Sequence, residues 1–285
     1  MDKDAKEMTP EEVRKMQLLQ LEMMVEFDRV CREENIHYVI CCGTLLGAVR
    51  HKGYIPWDDD ADIAMLREEY EKFKKVAHKL DQSNCFFQDH STDPEYRWGY
   101  GKLRKTGTTF IRLGQEHIKC KTGVYVDIFP LDDIPKTVIG QIVNDLECFI
   151  WRKILYSEVG RLSKDSNLVQ RFLYTQLAKI PTDWVFRKMQ HITKKSNNRT
   201  NRRVRVLLFP SFGRLYVRNP IQTRYGMPKI WFKQTKQYEF EGYKLFGIKD
   251  ADAFLKYMYD DYMTLPPESE RTGKVYVSDY DLGEE

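Results

Sequence analysis

The chain has 285 residues, 42% apolar and 31% charged, with a net charge of +4, as in a soluble globular protein able to bury its own core. No apolar run reaches the roughly 18 residues a membrane-spanning helix needs, and the charged start, Met1 to Glu7, has no apolar segment behind it. No secretory leader is therefore expected, and a cytoplasmic location is the default expectation.

Residues 9–34 predict a capped helix. Thr9 and Glu12 make a capping box, and Pro10 takes the first helical position. Val13, Met16, Leu19, Met23, Phe27 and Val30 recur at spacings of three or four and give it one apolar face. Residues 37–42 read as a short buried strand stopping at Gly43, 45–51 as a short helix, and 52–57 as a loop marked by Gly53 and Pro56. Residues 61–65 form a second buried strand. A helix over 67–80 turns Tyr70, Phe73, Ala77 and Leu80 to the core. Further strands are expected at 85–88, 101–105, 108–111 and 123–129, where Val124, Val126 and Ile128 alternate with Tyr125, Asp127 and Phe129. From about 137 the pattern is helical, with 138–156 and 168–191 the longest stretches. The tail adds a strand at 238–245, a helix at 251–259 and a stop at Pro266 and Pro267. The expected class is α/β (α+β): a core over 1–136, then a mainly helical, basic region over 137–285 whose last strand and helix pack back on it.

The six cysteines show no C-x-x-C pair and no zinc-ligand spacing, so they read as free thiols. Charge is unevenly spread. Between Trp184 and Tyr238 there is no Asp or Glu and there are 14 Lys or Arg. Such a block suits an anionic partner (phosphates, nucleic acid or an acidic membrane face) or is a solvated basic surface.

The informative stretch is 41–65, CCGTLLGAVRHKGYIPWDDDADIAM. Asp60 and Asp62 sit two apart in a predicted strand, so both carboxylates share one face, while Ala61 and Ile63 point into the core. Side-by-side carboxylates repel unless a cation lies between them, and hard oxygen donors favour Mg²⁺ or Mn²⁺. Asp58 has the same parity and adds a ligand if the strand starts early; Asp59 is expected to face away. A polar turn is the plain alternative, weakened because the cluster runs straight into an apolar strand. Gly43 and Thr44 lie between strand and helix, where the backbone can approach a phosphate and the helix N-terminus can hold it. Asp127, in the middle of VYVDIF, is the candidate third carboxylate, as a ligand or as a base; a salt bridge is the alternative.

The segment GTLLGAVRHKGYIPWDDDADIAM resembles the signature of the LicD family, which includes fukutin-type transferases and is a branch of the nucleotidyltransferase fold. The resemblance continues more loosely through Lys102-Leu103-Arg104, VDIFPLD at 126–132 and YDDYMTLPP at 259–267. Thr44 stands where Ser is frequent, and Ala61 replaces a larger apolar residue. The resemblance implies a mixed sheet with flanking helices, Gly43 and Thr44 at the nucleotide phosphates, and Asp60 and Asp62 on the metal, with Asp127 as the third strand carboxylate. It further implies transfer of a phospho-alcohol, phosphocholine above all, from a CDP-activated donor to a sugar hydroxyl of a cell-surface glycan or its lipid-linked precursor, releasing CMP. Arg50, Lys102 and Arg104 are then candidate diphosphate clamps, each equally readable as plain surface charge. His51 reads as a loop residue, Asp260 and Asp261 as acceptor or choline contacts or plain surface, and Tyr54, Trp57, Trp98 and Tyr100 as an aromatic wall or as core. The basic block, with VRVLLF at 204–209, suits peripheral contact with the anionic inner face of a membrane. Competing readings are transfer of NMP from an NTP to a small molecule, protein or RNA, a nucleic-acid-binding module, and an inactive scaffold. No nucleic-acid partner is expected.

Overall fold

A computed structural model describes residues 6–164, 166–197, 201–208, 226–271 and 276–283. Helix α1 (Pro10–Glu33) starts with both halves of the expected capping box: the Glu12 amide donates to Thr9 Oγ1 at 3.2 Å and the Thr9 amide to Glu12 Oε2 at 2.8 Å. Its apolar stripe is buried, except that Leu19 is half-buried, and the stripe also includes two buried glutamines, Gln17 and Gln20. Strand β1 (Lys6–Glu7) precedes it. Then follow β2 (Val39–Ile40), α2 (Cys42–Arg50), β3 (Asp62–Leu66), α3 (Arg67–Val76), β4 (Cys85–Gln88), β5 (Gly101–Lys105), β6 (Thr109–Arg112) and β7 (Tyr125–Asp133). The second half supplies α4 (Val138–Leu162), α5 (Leu168–Leu177), α6 (Thr182–Asn197), β8 (Arg203–Arg205), β9 (Met227–Pro228), β10 (Thr235–Phe240), β11 (Tyr243–Ile248), α7 (Ala251–Tyr259) and β12 (Tyr276–Asp281).

The main sheet runs β10-β11-β2-β3-β7-β5-β4, with β8 and β9 continuing from β7. It is mixed: β3 and β7 are parallel, while β2 and β5 run antiparallel to their neighbours β3 and β7. Strands β1, β12 and β6 make a separate small sheet. The chain is therefore the mixed α/β protein expected. Core residues Ile63, Ala61, Val126, Ile128 and Leu103 are fully buried on the face opposite the acidic side chains. Tyr70, Phe73, Ala77 and Leu80 are all buried, although the expected helix ends at Val76 and a 3-10 turn over Ala77–Lys79 carries the chain to Leu80.

Besides shifted ends at β7 and α4, four departures from expectation bear on the fold. The tail strand is a hairpin: Glu241 and Gly242 have φ of 50° and 80° and turn β10 into β11, the turn type that two left-handed residues favour. The helix over 168–191 is two helices, because Pro181 lacks a donor and disfavours helix in the residue before it. Helix α2 begins at Cys42, three residues earlier than the apolar pattern suggests. Strand β3 begins at Asp62, leaving Asp60 in the approach to the strand. There Gln17 donates to the carbonyls of Ile55 (3.1 Å) and Asp58 (3.0 Å), and Gln20 to that of Asp59 (3.0 Å), so side chains of α1 replace ladder bonds.

Strand β7, α3 and α6 are tied by Asp132, which is wholly buried. It accepts from Arg67 Nε and Nη2, both at 2.8 Å, and from Asn197 Nδ2 at 2.6 Å. Among the described residues no helix is long and apolar enough to cross a membrane. Parts of the basic block, at 198–200 and 209–225, lie outside the described residues.

Candidate active site

The register of three strands assembles the site. Asp62 on β3 pairs with Asp127 on β7, and Asp127 pairs with Lys102 on β5. Paired residues in a sheet point to the same face, so the three side chains stand in a row. The Asp127 amide donates to Ala61 O at 2.8 Å and the Cys41 amide to Asp62 O at 3.0 Å, fixing the acidic strand between its neighbours. Thr44, buried in the first turn of α2, accepts from the Asp62 amide at 2.8 Å. Its side chain thus ties the helix N-terminus to the start of the acidic strand.

Asp58, Asp59 and Asp60 place carboxylate oxygens within 4.8 Å of one another. This corrects the orientation expected for Asp59: outside the strand, alternation no longer holds, and Asp59 turns towards its neighbours. Burial, then Asp60 and Asp59, pushes the Asp58 carboxyl up to about 7. Burial, then Asp59 and Asp127, pushes Asp60 up to about 6. Asp62 is driven well above the carboxylate range by burial, then by Cys42, Asp60 and Asp127. Among the described residues no Lys or Arg forms an ion pair with Asp58, Asp60 or Asp62, whereas Asp127 is paired with Lys102. Half-buried carboxylates gathered at 58–60, with Asp62 and Asp127 on the adjoining strands and, among the described residues, no ion pair at Asp58, Asp60 or Asp62, are a donor set that fits a hard divalent cation.

The candidate cations divide. Lys102 is buried against Asp127, its ammonium 3.4 Å from the centre of the Tyr125 ring; burial pulls it down to about 8, with Asp127 opposing. Arg104 is buried with Nε on Gln88 Oε1 (2.7 Å) and Nη1 on Gly123 O (2.8 Å), so it braces the sheet. Arg50 turns to the C-terminal loop, donating to Tyr262 O at 2.8 Å and to His51 Nε2 at 3.0 Å. Sequence reasoning passed over Arg112, the last residue of β6. It donates to the Tyr125 hydroxyl and lies 3.8 Å from Asp59. Burial would lower its pKa, but Tyr125, Asp59 and Asp127 more than offset this and hold it cationic. In the 259–267 stretch, the Tyr259 hydroxyl is raised by desolvation and then by Cys42 and Asp62, while Asp260 and Asp261 are exposed.

The four aromatic candidates also divide. Tyr54 is core, packed on Phe240 at 4.8 Å between ring centres, and Trp57 packs on His51. Trp98 and Tyr100 border three cavities of about 50, 210 and 550 Å³, the smallest also lined by Lys102, Arg104, Arg112 and Tyr125.

Gly43 is explained by Asp58 itself. A methyl group there would fall 2.5 Å from Asp58 Oδ2. Gly43→Ala should therefore displace one carboxylate and leave the fold intact. Turnover is expected to drop about ten- to a hundredfold, the scale of a small misplacement in a reacting site, with little change in melting temperature. Steady-state rates beside a thermal melt check this; an unchanged rate would show that Asp58 does not contribute.

Residues 35–153 match the family described as LicD/FKTN/FKRP, nucleotidyltransferase domain. The lipopolysaccharide cholinephosphotransferase LicD of Haemophilus influenzae is 27% identical over 268 residues, covering 91% of this chain and 94% of that protein. An uncharacterized protein of Rickettsia prowazekii is 36% identical over 115 residues, 40% of each chain.

Proposed function

We propose that this LicD-like phosphotransferase moves phosphocholine from CDP-choline to a sugar hydroxyl of a lipopolysaccharide-type glycan or its lipid-linked precursor, releasing CMP. The observation that carries the reading is the row Asp62–Asp127–Lys102, its last two members buried and Asp62 half-buried, with Asp60 and Asp58 beside it, at the N-terminus of α2. Asp60 and Asp62, joined by Asp58 or Asp127, are the residues that would hold Mg²⁺ or Mn²⁺. When bound, the ion supplies charge neutralisation for a diphosphate and its leaving CMP. The chain's own groups do the rest. The acceptor oxygen attacks phosphorus as the phosphorus–oxygen bond to CMP breaks, and Asp127 takes the hydroxyl proton. Lys102 and Arg112 offer positive charge to the phosphoryl oxygens, and the amides after Gly43 receive a phosphate at the helix end. Trp98 and Tyr100 present ring faces suited to a quaternary ammonium. The reading places the enzyme in the cytoplasm, at the inner membrane face where a lipid-linked acceptor is assembled.

Supplying CDP-choline, Mg²⁺ and a deacylated lipopolysaccharide acceptor should release CMP and label the glycan with choline. Pyrophosphate from CTP or ATP under the same conditions, with no CMP from CDP-choline, would instead make the chain an NMP transferase.

A further inference from the structure

The first half of α4 is inside out. Its protein-facing positions are Gln141, Asn144 and Cys148, all buried; Gln141 Nε2 donates to Pro135 O at 2.9 Å. Its outer positions are Val138, Ile139, Ile142, Val143, Leu146 and Ile150, with Ile139 76% exposed. Helix α5 repeats the inversion. None of its residues is buried, and it rests on α4 through Tyr174, whose ring lies 5.8 Å from that of Tyr156. Leu168, Val169 and Phe172 occupy the opposite side of the helix, Leu168 being 83% exposed. The first half of α4 and the adjoining α5 thus turn their large apolar residues to solvent, well beyond the scattered apolar exposure of ordinary surfaces.

The surroundings say what covers this face. Residues 136–197 hold eleven Lys and Arg against five Asp and Glu. Exposed Lys136 precedes α4, Lys164 lies in the α4–α5 turn, and Arg171 and Lys179 flank the apolar side chains of α5. An apolar stripe rimmed by cations is complementary to a surface with anionic headgroups over hydrocarbon. We infer that α4 and α5 form a membrane-docking element, lying in the headgroup–acyl boundary of an anionic phospholipid bilayer with the apolar stripe inward. This moves the membrane contact from the 184–238 block to the α4–α5 hairpin. It deepens the proposed function, resting on it only for the acceptor being lipid-linked.

The test is vesicle flotation of the full chain without substrate, so that its outcome is independent of the CMP assay. Vesicles of equal parts phosphatidylglycerol and phosphatidylcholine should carry the protein, and phosphatidylcholine alone should carry much less. Ile142→Glu with Phe172→Glu should weaken partitioning by about tenfold or more, the loss expected for two apolar side chains, at unchanged melting temperature. Ile142→Ser with Phe172→Ser should act in the same direction without added charge. No binding to the anionic vesicles overturns the proposal. So does binding that survives both double variants but is lost on Lys194→Glu with Lys195→Glu. A dimer that the stripe variants dissolve, with vesicles left unbound, assigns the face to a second copy and also overturns it.

Discussion

Asp62→Asn should lower transfer by about a thousandfold or more, the scale of removing a principal charge-stabilising group from a reacting site, while the metal-free protein melts at or above the wild-type temperature. The sign follows from the surroundings. Asp62 is half-buried, and its desolvation, with Cys42, Asp60 and Asp127 nearby, raises its pKa above the ordinary 3.8. A carboxyl raised on folding leaves the folded state holding the proton more tightly, so ionisation works against the fold. The penalty is absent below about pH 4, where folded and unfolded chains are both protonated, and grows as pH rises towards neutrality. Asparagine keeps the shape and removes the charge. The melting advantage of Asp62→Asn should therefore be largest near pH 7 and fade towards pH 4. Melts at several pH values with chelator present, beside the rate of CMP release, check both halves. Lowered stability at pH 7 with retained activity would show that Asp62 is a structural ion-pair partner.

Asp132→Ala is expected to give the largest loss of stability. The carboxylate is fully buried and takes both guanidinium contacts of Arg67 together with Asn197. Removing it leaves a largely buried cation with Glu71, 3.3 Å away and half exposed, as its remaining partner. Breaking one side of a buried pair costs about 3–5 kcal/mol. For a domain of this size that lowers the melting temperature by roughly 6–15 °C. Replacing both partners, Arg67→Met with Asp132→Leu, should recover much of the loss, because no buried charge is left alone. Chemical-denaturation midpoints distinguish the cases. A loss under about 1 kcal/mol for the single variant would mean that Glu71 and solvent suffice for Arg67.

The front half of the fold was legible because its signals are local. Thr9, Glu12 and Pro10 fix a helix start within one turn, and the alternation through Val124, Val126 and Ile128 marks a strand buried on one face. The second half was less legible for identifiable reasons. The Glu241-Gly242 turn carries only one glycine, so the hairpin passed for a single strand. Pro181 lies inside an otherwise unbroken helical pattern. The first half of α4 has its apolar residues on the wrong side for a core-facing helix, so periodicity finds the helix but not its orientation there.

For the candidate site, spacing alone brought out the shared parity of Asp60 and Asp62. Their proximity to Asp127 depends on strand register, a long-range property. The direction of Asp59 was misjudged because alternation was extended past the strand end. Arg112 gave no local signal, since its pairing with Tyr125 and Asp59 depends on how β6 lies beside β7. Gln17 and Gln20 did leave a trace: both fall within the apolar stripe of α1, where an amide needs a buried partner. That partner is the backbone of the acidic loop itself.

The proposed function requires Asp60 and Asp62, joined by Asp58 or Asp127, to form a seat for a divalent ion. Mn²⁺ binding, followed by electron paramagnetic resonance with CDP-choline present, tests this most directly. Stoichiometric binding by the wild-type chain, lost in Asp62→Asn and displaced by Mg²⁺, is the predicted result. Equal binding by both proteins, or CMP release undiminished in excess chelator, would contradict it.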